Sequence, residues 1–387
     1  MKIKGFFKDI AGIMRIKKKR KEKIEQADGD VIPEDRISFL AKSYHPGKFS
    51  AVVDEIKQET NCAKRISFTS KQIPFFQAGN YLTIELDIDG AIVTRAYSIV
   101  SSPNKAYKEK NIAIIVKDYD QGFVSKYLNH NLKVGDEVIL EVGLGEFNYQ
   151  EYRDYKNIVA IAGGTGITPF ISMAHDIIDR NLDINLTILY GSVNPHQIIA
   201  KDELDSLVQD NIKVVHIISG NYKFDGEKGF IDEKIIKKYS PKDCSYFVAG
   251  PEIMIKSVTQ NLEKLGVDLR RIRVEQNPIS DVTQLIDSPK DLNNRELEID
   301  VYQGIYMSRI KANSNESIAV ALERSGLRIH IGCRSGNCGF CRIKILEGKY
   351  YIPQEYDKRR YTDKEYDYVH ACVTYPLSNL KIKINIS

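Results

Sequence analysis

The 387-residue chain lacks several features that would assign it to common functional classes. No apolar run approaches the roughly 20 residues that cross a membrane. Charge of one sign is not in excess either: 56 Lys and Arg face 52 Asp and Glu, a net of +4. That balance describes a globular chain and gives no reason to expect nucleic acid as a partner. The start, "MKIKGFFKDIAGIMRIKKKRKEK", sets basic residues on both sides of a short apolar patch. It lacks the apolar core of roughly 7–15 residues and the small-residue cleavage site of a secretory leader, so a cytoplasmic location is expected. Cysteine is scarce, at six residues. In a cytosolic chain of this length, so few thiols point to metal binding or catalysis more than to disulfides.

Three of the six crowd into one stretch, "GCRSGNCGFC" at Gly332–Cys341, and a fourth follows thirty residues later in "VHACVTYP". Cys333-x4-Cys338-x2-Cys341…Cys372 is the plant-type 2Fe–2S spacing. Each iron needs two thiolates, so a loop carrying three ligands must wrap tightly. Gly332, Gly336 and Gly339 give it that freedom and bring amide hydrogens toward the sulfurs. A structural zinc site is the alternative, although zinc usually takes two separated C-x2–4-C pairs. The flanks predict a β-grasp unit. "LEIDVYQGIYMSRIKAN" reads as two strands joined at Gln303–Gly304, "ESIAVALERSGL" as a helix ending at Gly326, and "NLKIKINIS" as a closing strand. Cys62 and Cys244 stand alone in strand-like contexts and read as buried small apolar residues.

Over residues 157–275, "NIVAIAG", "INLTILYG", "IKVVHIIS", "CSYFVAG" and "LRRIRVE" alternate with helical patterns. That order predicts a parallel sheet with helices on both faces. The first strand enters "AGGTGITPF", a glycine turn of the kind that lets a pyrophosphate approach a helix start. It lacks the third glycine of GxGxxG, where Pro169 stands. Residues 48–150 show alternating strand runs with no helical pattern before "GFVSKYLNHNL", which predicts an antiparallel barrel. Within the barrel, Arg95, Tyr97 and Ser98 of "RAYS" can hold a phosphate, stack on a ring and hydrogen-bond a ring nitrogen.

A barrel with RxYS, then GGTGITP, then a plant-type cysteine set resembles the ferredoxin–NADP reductase superfamily, and within it the flavin reductases with a C-terminal 2Fe–2S domain. The resemblance covers residues 48–387. Beyond a basic extension at 1–45 that it leaves unassigned, it implies a flavin-binding β-barrel at 46–152, an NAD(P)-binding α/β domain at 153–278, a linker at 279–296 and a β-grasp (α+β) ferredoxin domain at 297–387. It implies that Arg95 pairs with a flavin phosphate, Tyr97 stacks on the isoalloxazine and Ser98 hydrogen-bonds near N5. Gly122 and Ser125 would hold the FAD pyrophosphate. Gly163, Gly164 and Gly166 would cradle that of the nucleotide, with Thr168 at the flavin–nicotinamide contact and Gly250 and Pro251 as its wall. Glu275 would sit near N5, and Cys333, Cys338, Cys341 and Cys372 would ligate the cluster. Two positions depart from the pattern: Ala249 replaces the usual cysteine of Cys-Gly-Pro, and Asn277 replaces a common aromatic.

The reaction implied is passage of electrons from NADH or NADPH through FAD, rather than FMN, to the cluster and on to a separate protein acceptor. No cation follows "LYGS", where Val193-Asn194-Pro195 stands, so NADH is the expected donor. Two other readings stay open. One is an electron carrier without nucleotide oxidation, favoured by Ala249 alone. The other is a redox sensor, for which residues 1–45 offer too little chain for a recognition domain. "NPISDVTQLIDSPKDLNN", residues 277–294, is expected to be a solvent-exposed connection. The basic amphipathic extension is expected either to pack as a surface helix or to steer an acidic acceptor, with a membrane surface as the lesser option.

Overall fold

Short runs that alternate apolar and polar side chains direct the first half of the chain into strands with one dry face. The computed structural model describes residues 4–25, 47–118, 123–275, 278–279, 282–285, 287–290 and 292–384. Gly122 and Asn277 lie outside them. A helix α1, Lys4–Glu25, belongs to a compact unit of its own, Met1–Pro46. Its Ile13, Met14 and Ile16 are exposed. Among the described residues, no helix is long and apolar enough to cross a membrane.

The second unit, Gly47–Ser387, contains three main sheets. The first comprises β1 (Lys48–Thr60), β2 (Ala63–Thr69), β3 (Tyr81–Ile88), β4 (Ala91–Ser98), β5 (Asn111–Lys117) and β6 (Glu137–Leu144). All its pairings are antiparallel, in the order β4-β3-β6-β1-β2-β5. The two outer strands meet through the bridge Ile99–Ile114, which closes the barrel just past the RxYS motif. A helix α2, Pro103–Glu109, precedes β5, where no helix is legible from periodicity. It is seven residues long and is started by Ser102, whose side chain accepts from the Lys105 amide, with Pro103 at its first position. A third helix, α3, spans Val124–His130.

The second sheet is parallel: β7 (Asn157–Gly163), β8 (Asn185–Ser192), β9 (Ile212–Ile218), β10 (Glu227–Lys228), β11 (Ser245–Ala249) and β12 (Ile272–Val274), ordered β10-β9-β8-β7-β11-β12. Helices α4 (Thr168–Asp179), α5 (Lys201–Ser206), α6 (Glu233–Tyr239) and α7 (Glu252–Lys264) connect these strands. The order reverses at β7, so a crevice opens between the carboxyl ends of β7 and β11, the place where open α/β sheets bind ligands. Ile171, Ala174 and Phe170 of α4 share one apolar core with Ala63, Val100 and Ile115 of the barrel. The Ser172 hydroxyl donates to the Ser101 carbonyl across the same contact, at 2.7 Å.

The third sheet belongs to the β-grasp unit. Its strands are β13 (Glu296–Gln303), β14 (Tyr306–Asn313), β15 (Arg342–Glu347), β17 (Tyr368–His370) and β19 (Leu380–Ile384), ordered β14-β13-β19-β15-β17. A side ribbon pairs β16 (Tyr350–Tyr351) with β18 (Tyr375–Pro376). The helices are α8, Ile318–Arg324, and α9, Tyr361–Glu365.

Two expectations fail at particular residues. Cys62 sits half-buried in the turn between β1 and β2, not within a strand, because Asn61-Cys62 reverses the chain. Cys244 is buried, as expected. The polar segment before β13 is not a bare solvent-exposed connection. Val282 and Leu292 are buried against Tyr375 as a small core of their own. The Gln354 amide donates to the Asp287 carboxylate at 2.9 Å. Polar composition hid two apolar anchors spaced ten residues apart.

Candidate functional site

β4 carries the flavin motif. Antiparallel register sets Ser98 opposite Tyr81 and Arg95 opposite Ile84. Tyr97 lies partly buried against the barrel core. The Arg95 Nη1 group donates to the Thr94 carbonyl at 2.9 Å. Ser125 falls in the first turn of α3, and its carbonyl accepts from the Asn129 side chain.

Ser98 reaches the other module. Its hydroxyl donates to the Glu275 carboxylate at 2.5 Å, while the Glu275 amide donates to the Val248 carbonyl of β11. Glu275 is half-buried as a residue, but its carboxyl group is enclosed by protein. Burial raises its pKa to about 7, opposed by the Ser98 hydrogen bond. A carboxyl group poised near neutrality beside the flavin motif can hold or release a proton under working conditions.

The nucleotide turns are packed against each other. A short 3-10 turn, Gly164–Ile167, joins β7 to α4. A Cβ on Gly166 would lie 2.3 Å from the Ala249 carbonyl oxygen, and one on Gly163 would lie 2.6 Å from the Met254 sulfur. These two glycines therefore let the turns after β7 and β11 touch. Gly164 takes φ +55° with open space around its Cβ position, and its carbonyl accepts from the Tyr190 hydroxyl at 3.0 Å. Gly250 and Pro251 lead directly into α7. Thr168 is buried, and its hydroxyl donates to the Thr165 carbonyl at 2.7 Å, so it fixes the turn and does not present a free hydroxyl proton.

The cysteine loop holds its thiols in two pairs, Cys333 with Cys338 and Cys341 with Cys372. The Cys338 hydrogen bond pulls the Cys333 thiol pKa down to about 4 and pushes that of Cys338 well above its usual range. Loop amides aim at sulfur: Cys333 N–H at Cys338 Sγ (3.4 Å), and Cys338 N–H and Ser335 N–H at Cys333 Sγ (3.3 and 3.5 Å). Gly336 takes φ +78° where a Cβ would lie 2.6 Å from the Tyr356 carbonyl oxygen. Among the described residues, no three His, Cys, Asp or Glu side chains converge on a point for one ion. Two thiol pairs lined with amide donors suit a two-iron cluster, with one pair for each iron, better than a single zinc.

Tyr81 ties the regions together and escapes sequence reading, since nothing marks it out among other strand tyrosines. It stands across from Ser98 and packs its ring against Gly145. Burial first, then the charges of Cys333 and Cys338, hold its hydroxyl pKa well above the usual range. Glu323, also missed, reaches Arg95 from α8. Its one signal is an acid in the last turn of a helix, where the dipole disfavours negative charge.

Comparison with known proteins assigns a family to each module. Residues 65–149 match the oxidoreductase FAD-binding domain family, 160–260 the oxidoreductase NAD-binding domain family, and 307–377 the 2Fe-2S iron-sulfur cluster binding domain family. The chain is 28% identical over 357 residues to the glycine betaine monooxygenase reductase subunit of Chromohalobacter salexigens, covering 87% of this chain and 95% of that one. It is 25% identical over 349 residues to a 1,2-phenylacetyl-CoA epoxidase subunit of Escherichia coli, covering 85% and 95%. Its fold is similar to phthalate dioxygenase reductase, with a TM-score of 0.65 at 19% identity over 88% of this chain and 98% of that one. The chain belongs to the ferredoxin–NADP reductase superfamily, among the flavin reductases with a C-terminal plant-type 2Fe–2S domain, and is an NAD(P)H-dependent reductase that passes electrons through a flavin to the cluster and on to a separate redox partner.

Proposed function

We propose that the chain oxidises NADH, uses FAD, and delivers single electrons to an oxygenase component. The observation that carries the reading is β4, whose end bonds Ser98 to Glu275 of the nucleotide module and whose Thr94 is bonded by Arg334, the residue next to Cys333. NAD(P)H gives up two electrons at once and a 2Fe–2S cluster accepts one, so a bound flavin supplies the conversion between them.

The chain's own residues supply position. Arg95 anchors the flavin phosphate and Tyr97 covers the ring. Ser98 and Glu275 set the hydrogen bonding and the proton at the ring edge. Gly163, Gly164 and Gly166 hold the nucleotide pyrophosphate in the switch-point crevice, with Gly250 and Pro251 as its far wall. Gly122 and Ser125 serve the second FAD phosphate. Cys333, Cys338, Cys341 and Cys372 hold the cluster within one module's reach of the flavin edge. The match to an FAD-binding family over 65–149 supports FAD, and the cation-free turn Val193-Asn194-Pro195 supports NADH. The names of the relatives, one a monooxygenase reductase and one part of an epoxidase, support an oxygenase as acceptor.

Anaerobic mixing of the purified holoprotein with NADH tests the reading. Flavin absorbance should bleach first and the cluster signal in electron paramagnetic resonance should follow. The order fails if the cluster signal rises without prior flavin bleaching. FMN on chromatography of the released flavin, or a kcat/KM tenfold higher with NADPH, would overturn those two parts separately.

A further inference from the structure

The strand that carries the flavin motif is gripped from outside by the ferredoxin module. β4 is the outer strand of its sheet, and the chain just past it meets β5 through the Ile99–Ile114 bridge and the Val100 amide, which donates to the Ala113 carbonyl. Ahead of that bridge, Thr94 turns both of its backbone groups toward the ferredoxin module. Its N–H donates to Glu323 Oε1 at 3.2 Å, and its carbonyl accepts from Arg334 Nε at 2.5 Å. Glu323 Oε1 also accepts from Arg334 Nη2, and its Oε2 accepts from Arg95 Nη1 at 3.2 Å. Glu323 and Arg334 are each 6% exposed. One carboxylate therefore sits between two guanidinium groups, and the carboxylate and one of the guanidiniums together bond both backbone groups of a single residue of the flavin strand.

The sequence neighbours give this arrangement its meaning. Arg334 directly follows the cluster ligand Cys333, and Thr94 directly precedes Arg95. The distance from cluster to flavin motif is thus set by three hydrogen-bonded groups with one residue of chain at either end. Arg95 spends only Nη1 on this contact. Among the described residues, its Nε and Nη2 remain for a phosphate. A buried charge triad is a costly way to gain stability, because desolvation offsets most of the attraction, but it enforces one geometry.

We propose that Glu323, acting through Arg334 and Thr94, is the positioning residue that holds the 2Fe–2S module at its electron-transfer distance from the flavin. This rests on the electron path given above. Glu323→Gln keeps the size and one acceptor but removes the charge. It is to be studied as full-length holoprotein with excess flavin. With flavin in excess to offset any loss of affinity at Arg95, whose Nη1 group bonds Glu323, flavin bleaching by NADH should stay within about twofold of wild type, since Glu323 touches neither the nucleotide crevice nor the reacting edge. Electron passage from flavin to cluster should slow by tenfold or more, read by freeze-quench resonance. Hydrogen exchange supplies a readout that needs no variant: the Thr94 amide should be strongly protected in wild type, and it should lose that protection in Glu323→Ala, which offers it no acceptor. Wild-type cluster reduction in the folded variant overturns the proposal. So does rapid exchange at Thr94 in the unmutated chain, which decides the matter if the variant fails to fold. If NADH fails to bleach the flavin of wild type, the electron path itself is wrong, and the exchange result still judges the grip on Thr94.

Discussion

At Glu275 burial and a single serine hydrogen bond pull the proton in opposite directions, and burial wins. Unfolded, the group titrates near its ordinary 4.5, and in the folded chain near about 7. The folded protein holds the proton more tightly, so this contribution to stability is complete below about 4.5 and is lost as pH rises through about 7. Glu275→Gln removes the ionisation. Its Tm should match wild type near pH 4, pull ahead as pH rises from about 4.5 to about 7, and exceed it most at pH 8. The rate of NADH-driven flavin bleaching should fall in wild type as pH rises through about 7, because a new carboxylate beside the ring edge opposes arriving negative charge. The inflection should vanish in the variant, and an unchanged inflection assigns it to another group. Gly166→Ala probes a steric demand instead. With a Cβ 2.3 Å from the Ala249 carbonyl oxygen, the two nucleotide turns must part. Overpacking of this kind costs about 1–3 kcal/mol. KM for NADH should rise well beyond the change in kcat for a dye, and equal loss in both would mean a general unfolding effect. Both residues were legible in the sequence as members of motifs. Their reasons were not, since a pKa near neutrality and a turn-to-turn contact depend on partners about 80 to 180 residues away in the chain.

Among the elements, the parallel strands and the cysteine loop were the most legible. "NIVAIAG" is β7 to the residue, because a parallel strand covered on both faces is apolar along its buried run, here Ile158 to Gly163. The helix α2 was not legible. Its seven residues are too few for periodicity to show, and its capping serine is the clearer mark. The segment before β13 misled through composition. Asp, Asn, Ser and Pro dominate it, yet Val282 and Leu292 are only 2% and 3% exposed. Two anchors are enough to fasten a polar segment when the module offers Tyr375 to cover. Leu292→Ala should therefore cost roughly 2–5 kcal/mol. The loss should appear as an earlier melting of the cluster signal, with flavin fluorescence melting where it did before. If the variant melts as wild type does, the segment is the loose connection its composition suggests.

At the scale of the whole chain, electrons enter in pairs through one module and leave singly through another, and the basic helix α1 adds a third surface. Its described charged residues include Lys17, Lys18, Lys19, Arg20, Lys21 and Lys23, with one acid, Glu22, among them. If the helix steers an acidic acceptor, deleting residues 1–30 leaves dye reduction intact. Reduction of a negatively charged protein acceptor then slows, and the difference fades as salt rises past the Debye screening range. Equal slowing toward both acceptors, with a lower Tm, would make the helix a packing element.

The grip on Thr94 has a meaning for solubility as well. A strand whose outward amide and carbonyl find no partner is a template on which another chain can add a strand, and Ile92 and Val93 make this one apolar. With the ferredoxin module in place, Glu323 and Arg334 occupy the template with charged groups that no incoming backbone can displace cheaply. The same two side chains thus act as a stopper against self-association. A chain cut before β13 is expected to show concentration-dependent oligomers in sedimentation that the full-length protein does not form at the same concentration.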